Sequence, residues 1–225
     1  MKPTLLSTLF LFLLFSSCQP GFEDKYEAKN QLVSGVKEGK WVEYFDSLEK
    51  PTKDTNAPHY KLIQYKVGVP VGIVRKYDKG GILNTETPYK DGRANGIEIQ
   101  YDEAGNIFGK TPYVNGLRNG VREEYWENGK ILSECPYIDG KINGVYVGYT
   151  RSGEILEEIT YKNGKENGSY KIYQSNGNLM SDAEFKNGKI IHRKDYDLLG
   201  NLEGEWDYSD SLITRHYDAS GNEIK

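Results

Sequence analysis

The sequence has few of the residues that most often carry covalent or metal-dependent chemistry. Its 225 residues include two cysteines and three histidines. The histidines lie far apart and occupy no repeated position, which indicates structural or solvent-exposed roles rather than a metal site; they are His59, His192 and His216. A Gly-x-Ser-x-Gly motif and a phosphate-binding glycine loop are also missing. We therefore expect no catalytic residues, no metal site and no cofactor, and we expect that the protein is not an enzyme.

A basic stripe is missing as well. Lysine and arginine number 29 against 33 aspartates and glutamates, which gives a formal charge of -4, and the two signs are interleaved. Mild acidity favours solubility and argues against nucleic acid as a partner, because nucleic acid requires clustered positive charge. Phenylalanine (7), tryptophan (3) and methionine (2) are scarce, whereas tyrosine is abundant (18).

The abundance of tyrosine comes from a repeat. Five copies of a 24-residue unit follow one another over residues 65–184, and ten of the 18 tyrosines fall in two columns of this repeat. Self-similarity at a fixed period predicts a stack of units that pack against their neighbours without one central core. The copies begin at Tyr65, Tyr89, Tyr113, Tyr137 and Tyr161, and their second tyrosines are Tyr77, Tyr101, Tyr125, Tyr149 and Tyr173.

Each unit has the pattern of a β-hairpin. Residues 97–102 alternate between apolar and polar side chains, which predicts a strand with one apolar face. The sequence EAGN at 103–106 predicts a turn in which Gly105 has a positive φ. Steps such as Asn115-Gly116 predict the reversal into the next unit. Successive hairpins should pair into one antiparallel ribbon that advances about 10 Å per unit, at roughly 4.8 Å per strand.

Parity along the second strand of each unit predicts one packed face and one solvated face. The packed face should carry the leading tyrosines, the column Leu83, Ile107, Ile131, Ile155 and Leu179, and the column Thr87, Thr111, Cys135, Ile159 and Ala183. Cys135 is thus predicted to be a small core residue rather than a nucleophile. The solvated face should carry Glu86, Lys110, Glu134, Glu158 and Asp182. Calcium is an alternative for these stacked carboxylates, but the missing ligand loop favours a solvated face.

The ends of the array depart from the repeat. Gly35, Gly39 and Tyr44 define an irregular first unit, and nine extra residues within 47–59 are predicted to form a loop rather than a strand. The last full-length unit begins at Phe185 and departs from the pattern. We assign residues 34–208 to the repeat array and residues 209–225 to a C-terminal cap, a partial hairpin that covers the open sheet edge.

The N-terminal residues have the build of an export signal. Residues 1–17 contain one lysine and an apolar run, Leu5 to Phe15, that is too short to span a bilayer. The ending LLFSSC at 13–18 resembles the bacterial lipoprotein signal, with Phe15 where that pattern usually has leucine. The resemblance implies a signal peptide over 1–17 and lipidation of Cys18; the alternative is an ordinary secretory signal cleaved near Ser17. Residues 18–33 are then predicted to comprise the lipidated cysteine and a flexible polar tether.

The spacing Gly-x3-Gly-x4-Tyr-x3-Gly resembles the MORN (membrane occupation and recognition nexus) repeat, and more closely the variant found in tandem on bacterial lipoproteins. The likeness covers residues 35 to about 208. It implies an all-β fold, an elongated single-layer antiparallel array of tandem β-hairpins, and a role in interaction rather than chemistry. An aromatic residue two positions after the second glycine occurs only at Trp41, Tyr146 and Tyr170; Val74, Glu98 and Arg122 occupy the matching positions.

Together these features predict a non-enzymatic scaffold that is lipid-anchored to the outer membrane and binds another protein of the bacterial cell envelope. The alternative hypothesis is a glycan-binding envelope lipoprotein, in which Trp41, Tyr146 and Tyr170 stack on sugar rings. Many relatives of the repeat variant carry an antitoxin label, which fits poorly with an anchored protein outside the cytoplasm.

Overall fold

The computed structural model describes residues 22–208, 213–218 and 220–224. The predicted signal peptide, Cys18 and parts of the predicted C-terminal cap lie outside these residues. Over the described part the chain is all-β: one open antiparallel sheet, with a short 3-10 helix at Lys25–Glu27. We find within this part no helix with the length and apolarity needed to cross a membrane. The predicted single-layer array of hairpins is confirmed.

The strands of the described residues are, in chain order, β1 (Gln31–Val33), β2 (Val36–Phe45), β3 (Pro51–Thr52), β4 (His59–Lys66), β5 (Val69–Asp78), β6 (Ile82–Lys90), β7 (Arg93–Ala94), β8 (Gly96–Tyr101), β9 (Ile107–Val114), β10 (Leu117–Arg118), β11 (Gly120–Tyr125), β12 (Ile131–Ile138), β13 (Lys141–Ile142), β14 (Gly144–Tyr149), β15 (Ile155–Lys162), β16 (Lys165–Tyr173), β17 (Leu179–Lys186), β18 (Lys189–Tyr196), β19 (Leu202–Asp207), β20 (Ile213–Tyr217) and β21 (Glu223–Ile224).

The turns of each unit follow from local sequence. The turn between β8 and β9 has Gly105 at φ 84°, as predicted. β9 reverses into β10 through Asn115 and Gly116, whose φ values of 51° and 85° match the tight turn that Asn-Gly steps favour. Because every unit contains both turns, the hairpins repeat with the period of the sequence.

A β-bulge in each hairpin from β5–β6 to β18–β19 decides which face a side chain occupies. As pairing passes from Gln100 to Tyr101 on β8, its partner on β9 changes from Gly109 to Ile107, so Phe108 is an extra residue. One extra residue reverses the alternation of faces beyond it. The prediction that the column of Ile107 lies on the face of the threonine column is therefore wrong, because counting by parity ignores the bulge.

The sheet has two faces, and both are partly solvated. The front face carries the leading tyrosines and the column Thr87, Thr111, Cys135, Ile159 and Ala183, of which Thr111 is 2% and Cys135 6% exposed. The back face carries Glu86, Lys110, Glu134, Glu158 and Asp182, together with the second tyrosines and their Leu or Ile partners. Cys135 is a small buried residue, as predicted. The back face is not simply a charged solvated surface, because it contains a tyrosine column of its own.

The apolar core is small and lies on the front face of the first units. Ile63, Tyr65 and Val74 are buried together, and Trp41 and Tyr89 pack against them. In the later units, burial comes from neighbouring side chains of the same sheet face, as a quasi-one-dimensional repeat requires.

Residues 22–30, which we call the strap, fold back onto the back face. Phe22 is 3% exposed, and its carbonyl oxygen accepts a 2.7 Å hydrogen bond from Nη1 of Arg75. Arg75 is itself 7% exposed and pairs with Glu86 at 2.8 Å. The prediction of a flexible tether over 18–33 is therefore wrong for residues 22–33, because the strap is docked through these buried groups and continues into β1.

The strap and the insertion cover the N-terminal edge of the sheet. Oδ1 of Asn30 accepts a 2.9 Å hydrogen bond from the backbone N–H of Val42 on the edge strand β2. The insertion is mostly loop, but it includes the two-residue strand β3, in which Thr52 pairs with Tyr44 on the outer side of β2. At the other end β20 pairs with β19, and β21 pairs with β20. Covering an edge strand removes a template for aggregation.

Candidate interaction surfaces

An exposed apolar stripe crosses four consecutive units on the back face. Ile73, Ile97, Val121 and Val145 are 42%, 55%, 47% and 46% exposed. Each follows the second glycine of its unit and pairs across the hairpin with a half-buried residue, which is Pro88, Pro112, Pro136 or Thr160 respectively. We call these eight side chains the apolar stripe. A contiguous exposed apolar surface is typical of a site that binds another molecule.

Charged rows border the apolar stripe on both sides. Beside the turns that join the units lie exposed cations, namely Lys66, Lys90, Arg93, Lys141, Lys162, Lys165, Lys186 and Lys189. Val114, Leu117 and Ile138 interrupt this row and widen the apolar stripe; they are 46%, 49% and 52% exposed. On the other side lies the column that begins at Glu86, in which carboxylates predominate. The back face is thus basic along one margin, apolar in the middle and mainly acidic along the other margin.

The stacked carboxylates of the back face accept hydrogen bonds from tyrosines of the following unit. The bonds join the hydroxyls of Tyr101, Tyr149 and Tyr173 to Glu86 (2.7 Å), Glu134 (2.6 Å) and Glu158 (2.7 Å) respectively. The hydrogen bond to the carboxylate and, as the smaller cause, burial raise the pKa of Tyr149 and of Tyr173 to about 12. The pKa of Tyr101 is also raised to about 12, but there burial is the larger cause and the hydrogen bond the smaller. Among the described residues, no group of three or more His, Cys, Asp or Glu side chains is arranged to hold a metal ion.

Trp41, a predicted ligand-contact residue, is half-buried on the front face. Its ring meets Tyr65 edge-on with centroids 6.0 Å apart, and the Lys37 ammonium lies 4.9 Å from its centroid. Its indole N–H donates a 3.0 Å hydrogen bond to the carbonyl of Glu38. Trp41 therefore has a packing role in the small core.

Tyr146 and Tyr170, the other two predicted contact residues, lie several units away from Trp41. Both pair with Ile159, so they flank it on the front face. Tyr170 also makes an edge contact with Phe185, with centroids 5.8 Å apart. Burial raises the pKa of both tyrosines. The three predicted aromatics thus do not form one site.

The cysteine and histidine side chains of the described residues have packing roles. Burial raises the pKa of the Cys135 thiol, which makes it a poor nucleophile. The histidines have separate partners: His59 contacts Asp78 (3.0 Å), His192 contacts Glu205 (3.0 Å), and His216 packs against the ring of Trp206 (6.2 Å between centroids).

The apolar stripe is not among the surfaces predicted from the sequence, although the sequence contains a signal for it. Ile97 belongs to the alternating set with Ile99 and Tyr101, which predicts one packed face for all three. In the structure Ile99 and Tyr101 are half-buried, whereas Ile97 is 55% exposed. The column of β-branched residues directly after the second glycine is the feature that marks the stripe.

An open single-layer sheet built from tandem hairpins, with exposed rows on both faces, defines the class of β-hairpin repeat arrays. The family model described as MORN repeat variant matches residues 94–115, 118–139, 142–163 and 166–187. Residues 94–187 are therefore four tandem MORN-variant repeats.

Two further comparisons add little. A search among curated proteins found no match. A crystal structure of TcdB2-TccC3-TEV is similar over 79% of this chain, at 11% identity and a TM-score of 0.15, which is too low to carry an argument. The chain spans 12% of the length of that protein.

Proposed function

We propose that this protein is a non-catalytic scaffold whose apolar stripe binds a partner protein. The observation that carries the proposal is the exposure of Ile73, Ile97, Val121 and Val145 in four consecutive units. Side chains exposed at a fixed spacing on hydrogen-bonded strands form a preorganised surface, which lowers the entropic cost of binding an extended partner.

The charged margins define the chemistry of the partner. A matching partner surface has an apolar strip that contacts the apolar stripe. It has acidic residues opposite the row of exposed cations beside the turns, and basic residues opposite the column that begins at Glu86. Because each unit contributes two strands at roughly 4.8 Å each, the contacts on the partner recur about every 10 Å. An extended segment or another repeat array meets this requirement better than a compact globular surface.

We also propose that the scaffold acts in the bacterial cell envelope, lipid-anchored to the outer membrane through Cys18. The proposal rests on the likeness of residues 13–18 to a lipoprotein signal. Several acyl chains, at about 0.8 kcal/mol per buried methylene, provide a stable attachment. Mass spectrometry of the mature protein tests it: the expected N-terminal residue is diacylated or triacylated Cys18, and Cys18→Ser abolishes the modification. An unmodified cysteine in the mature protein contradicts it.

Glycan binding through Trp41, Tyr146 and Tyr170 has less support. The ring of Trp41 is occupied by Lys37 and Tyr65, and the two tyrosines are half-buried beside Ile159.

Site-specific photo-cross-linking tests the scaffold proposal. p-Benzoylphenylalanine is placed at position 97 in the source organism, and in a control at position 199, where Leu199 is 82% exposed but distant from the stripe. We expect a discrete protein adduct at position 97, lost when Val121→Asp is added to the same chain, and no such adduct at position 199.

Two outcomes contradict the proposal. Equal cross-linking at both positions indicates non-specific contact. Binding of the Cys18→Ser protein to phosphatidylglycerol vesicles, abolished by Val121→Asp, indicates that the stripe docks on a membrane instead of a protein.

A further inference from the structure

Three departures from the repeat occur at the N-terminal end of the array, and all three meet at one cleft on the back face of the first unit. The departures are the strap, the insertion at 47–59, and a tyrosine at the position where later units have an aliphatic residue. The cleft has a volume of about 610 Å³, within the roughly 300–1,000 Å³ range that is typical of small-molecule sites.

Three tyrosine rings on neighbouring strands form the floor of the cleft. Tyr60 on β4 pairs with Tyr44 on β2 and with Tyr77 on β5. The rings of Tyr60 and Tyr77 are stacked, 4.7 Å apart and 7° from parallel, and the ring of Tyr44 is tilted at 6.2 Å from Tyr60. In the later hairpins the partner of the second tyrosine is aliphatic: Leu83, Ile107, Ile131, Ile155 or Leu179. The continuous row of rings is thus specific to this end of the array.

Polar groups form the walls. The strap contributes Asp24 and the ring of Tyr26, which is 85% exposed at the rim. The insertion contributes residues 55–58, and the turn after β5 contributes Gly80 and Gly81. Burial and, to a smaller extent, the nearby Asp24 carboxylate raise the pKa of the Tyr60 phenol.

The charges around the cleft restrict the ligand. The carboxylates of Glu23 and Asp24 disfavour an anion. The position for a cation is already filled, because the Lys25 ammonium lies 5.3 Å from the centroid of the Tyr60 ring and 5.6 Å from that of Tyr26. With anions and cations both disfavoured, the ligand that suits the cleft is neutral, with many hydroxyl donors and an apolar C–H surface.

We propose that this cleft, lined by Tyr44, Tyr60, Tyr77 and the strap, binds a neutral oligosaccharide. The C–H face of one sugar ring packs against the exposed ring of Tyr26, and a sugar hydroxyl donates to the carboxylate of Asp24. The site differs from the front-face aromatics Trp41, Tyr146 and Tyr170, and it does not depend on the apolar stripe.

The test uses the full mature chain and isothermal titration with three sets of probes: neutral gluco- and manno-oligosaccharides and N-acetylglucosamine oligomers, uronic acid oligomers, and the cations choline and spermidine. We expect a neutral set to bind with a Kd below 1 mM and the other two sets to bind at least tenfold more weakly.

Two variants with matched controls locate the binding. Tyr60→Leu introduces the residue type of the later units, and Tyr26→Ala removes an exposed ring; each is expected to weaken binding at least tenfold without loss of the folded state. The controls are Ile131→Leu in the equivalent column and Leu199→Ala, which removes a side chain that is 82% exposed. Both controls should bind as the unmodified chain does.

Several results overturn the proposal. The proposal is wrong if none of the neutral probes binds, or if choline or spermidine binds more tightly than the neutral probes. It is also wrong if Tyr60→Leu and Tyr26→Ala leave the oligosaccharide affinity unchanged. Val121→Asp separates this proposal from the scaffold function, because it is expected to abolish partner cross-linking and leave oligosaccharide affinity unaltered.

Discussion

The hydroxyl of Tyr149 donates a 2.6 Å hydrogen bond to Glu134, which belongs to the preceding repeat. The same contact recurs between Tyr173 and Glu158. In an array whose units contact only their neighbours, a bond of this kind contributes directly to the interface between units. The column of second tyrosines therefore connects the repeats in addition to marking them.

Removing one of these hydroxyls should destabilise the array. Tyr149→Phe leaves Glu134 without its phenol donor, and hydrogen bonds to charged groups contribute about 1.5–3 kcal/mol, which partial exposure reduces to about 1–2 kcal/mol here. Urea unfolding followed by circular dichroism measures the change. Tyr26→Phe, at a ring that is 85% exposed, is the control and should unfold as the unmodified chain does. Equal midpoints for the two variants would contradict the prediction.

The array should lose stability in alkali between pH 10 and 12. The folded-state pKa of Tyr101, Tyr149 and Tyr173 is about 12, compared with about 10 for a tyrosine in an unfolded chain. A raised folded-state pKa gives a contribution to stability that is complete below pH 10 and disappears as the pH rises through 12.

Melting temperatures from pH 8 to 12.5, with absorbance at 295 nm to follow phenolate formation, measure this loss. The decline should be shallower in Tyr149→Phe, because that variant has one fewer shifted group. A melting temperature that is constant up to pH 12 would refute the prediction.

The second glycine of a repeat should tolerate alanine less well than the turn glycine. Gly144 has φ 123°, and a Cβ at this position would lie 2.9 Å from Cγ of Pro136. Gly129 has φ 77° with no atom within 4 Å of the added Cβ. We expect Gly129→Ala to cost roughly 1–2 kcal/mol from backbone strain and Gly144→Ala about 2–4 kcal/mol because steric overlap is added. Chemical denaturation of both variants measures the difference, and an equal cost at the two positions would show that the overlap relaxes.

Docking of the strap should depend on Phe22. This side chain is 3% exposed, and Phe→Ala substitutions in buried positions cost roughly 3–5 kcal/mol. Phe22→Ala should release the strap while the repeats stay folded, so trypsin should cleave after Lys25 and Lys29 much faster than in the unmodified chain. Leu48→Ala, at a side chain that is 72% exposed, is the control and should leave the cleavage rate unchanged. Unaltered cleavage in Phe22→Ala would mean that other contacts hold the strap.

Much of the architecture is determined by the sequence alone. The 24-residue period, the Asn115-Gly116 reversal and the positive φ of Gly105 predict the hairpins, because turn geometry depends on residues that are adjacent in the chain. Period and turn type together predict an antiparallel ribbon of hairpins, and the resemblance to the MORN repeat implies that the array has a single layer.

Tertiary structure decided the features that depend on pairing register and on contacts between distant residues. The extra residue Phe108 places Ile107 on the back face, and a count of alternating residues does not reveal a bulge. The polar composition of the strap predicts a tether, yet the contact between Phe22 and Arg75 joins residues 53 positions apart in the chain. The tyrosine cleft arises in the same way, because the strap, the insertion and Tyr60 meet only once the strands have paired. Local rules therefore determine the repeat, whereas its irregular end is determined by long-range packing.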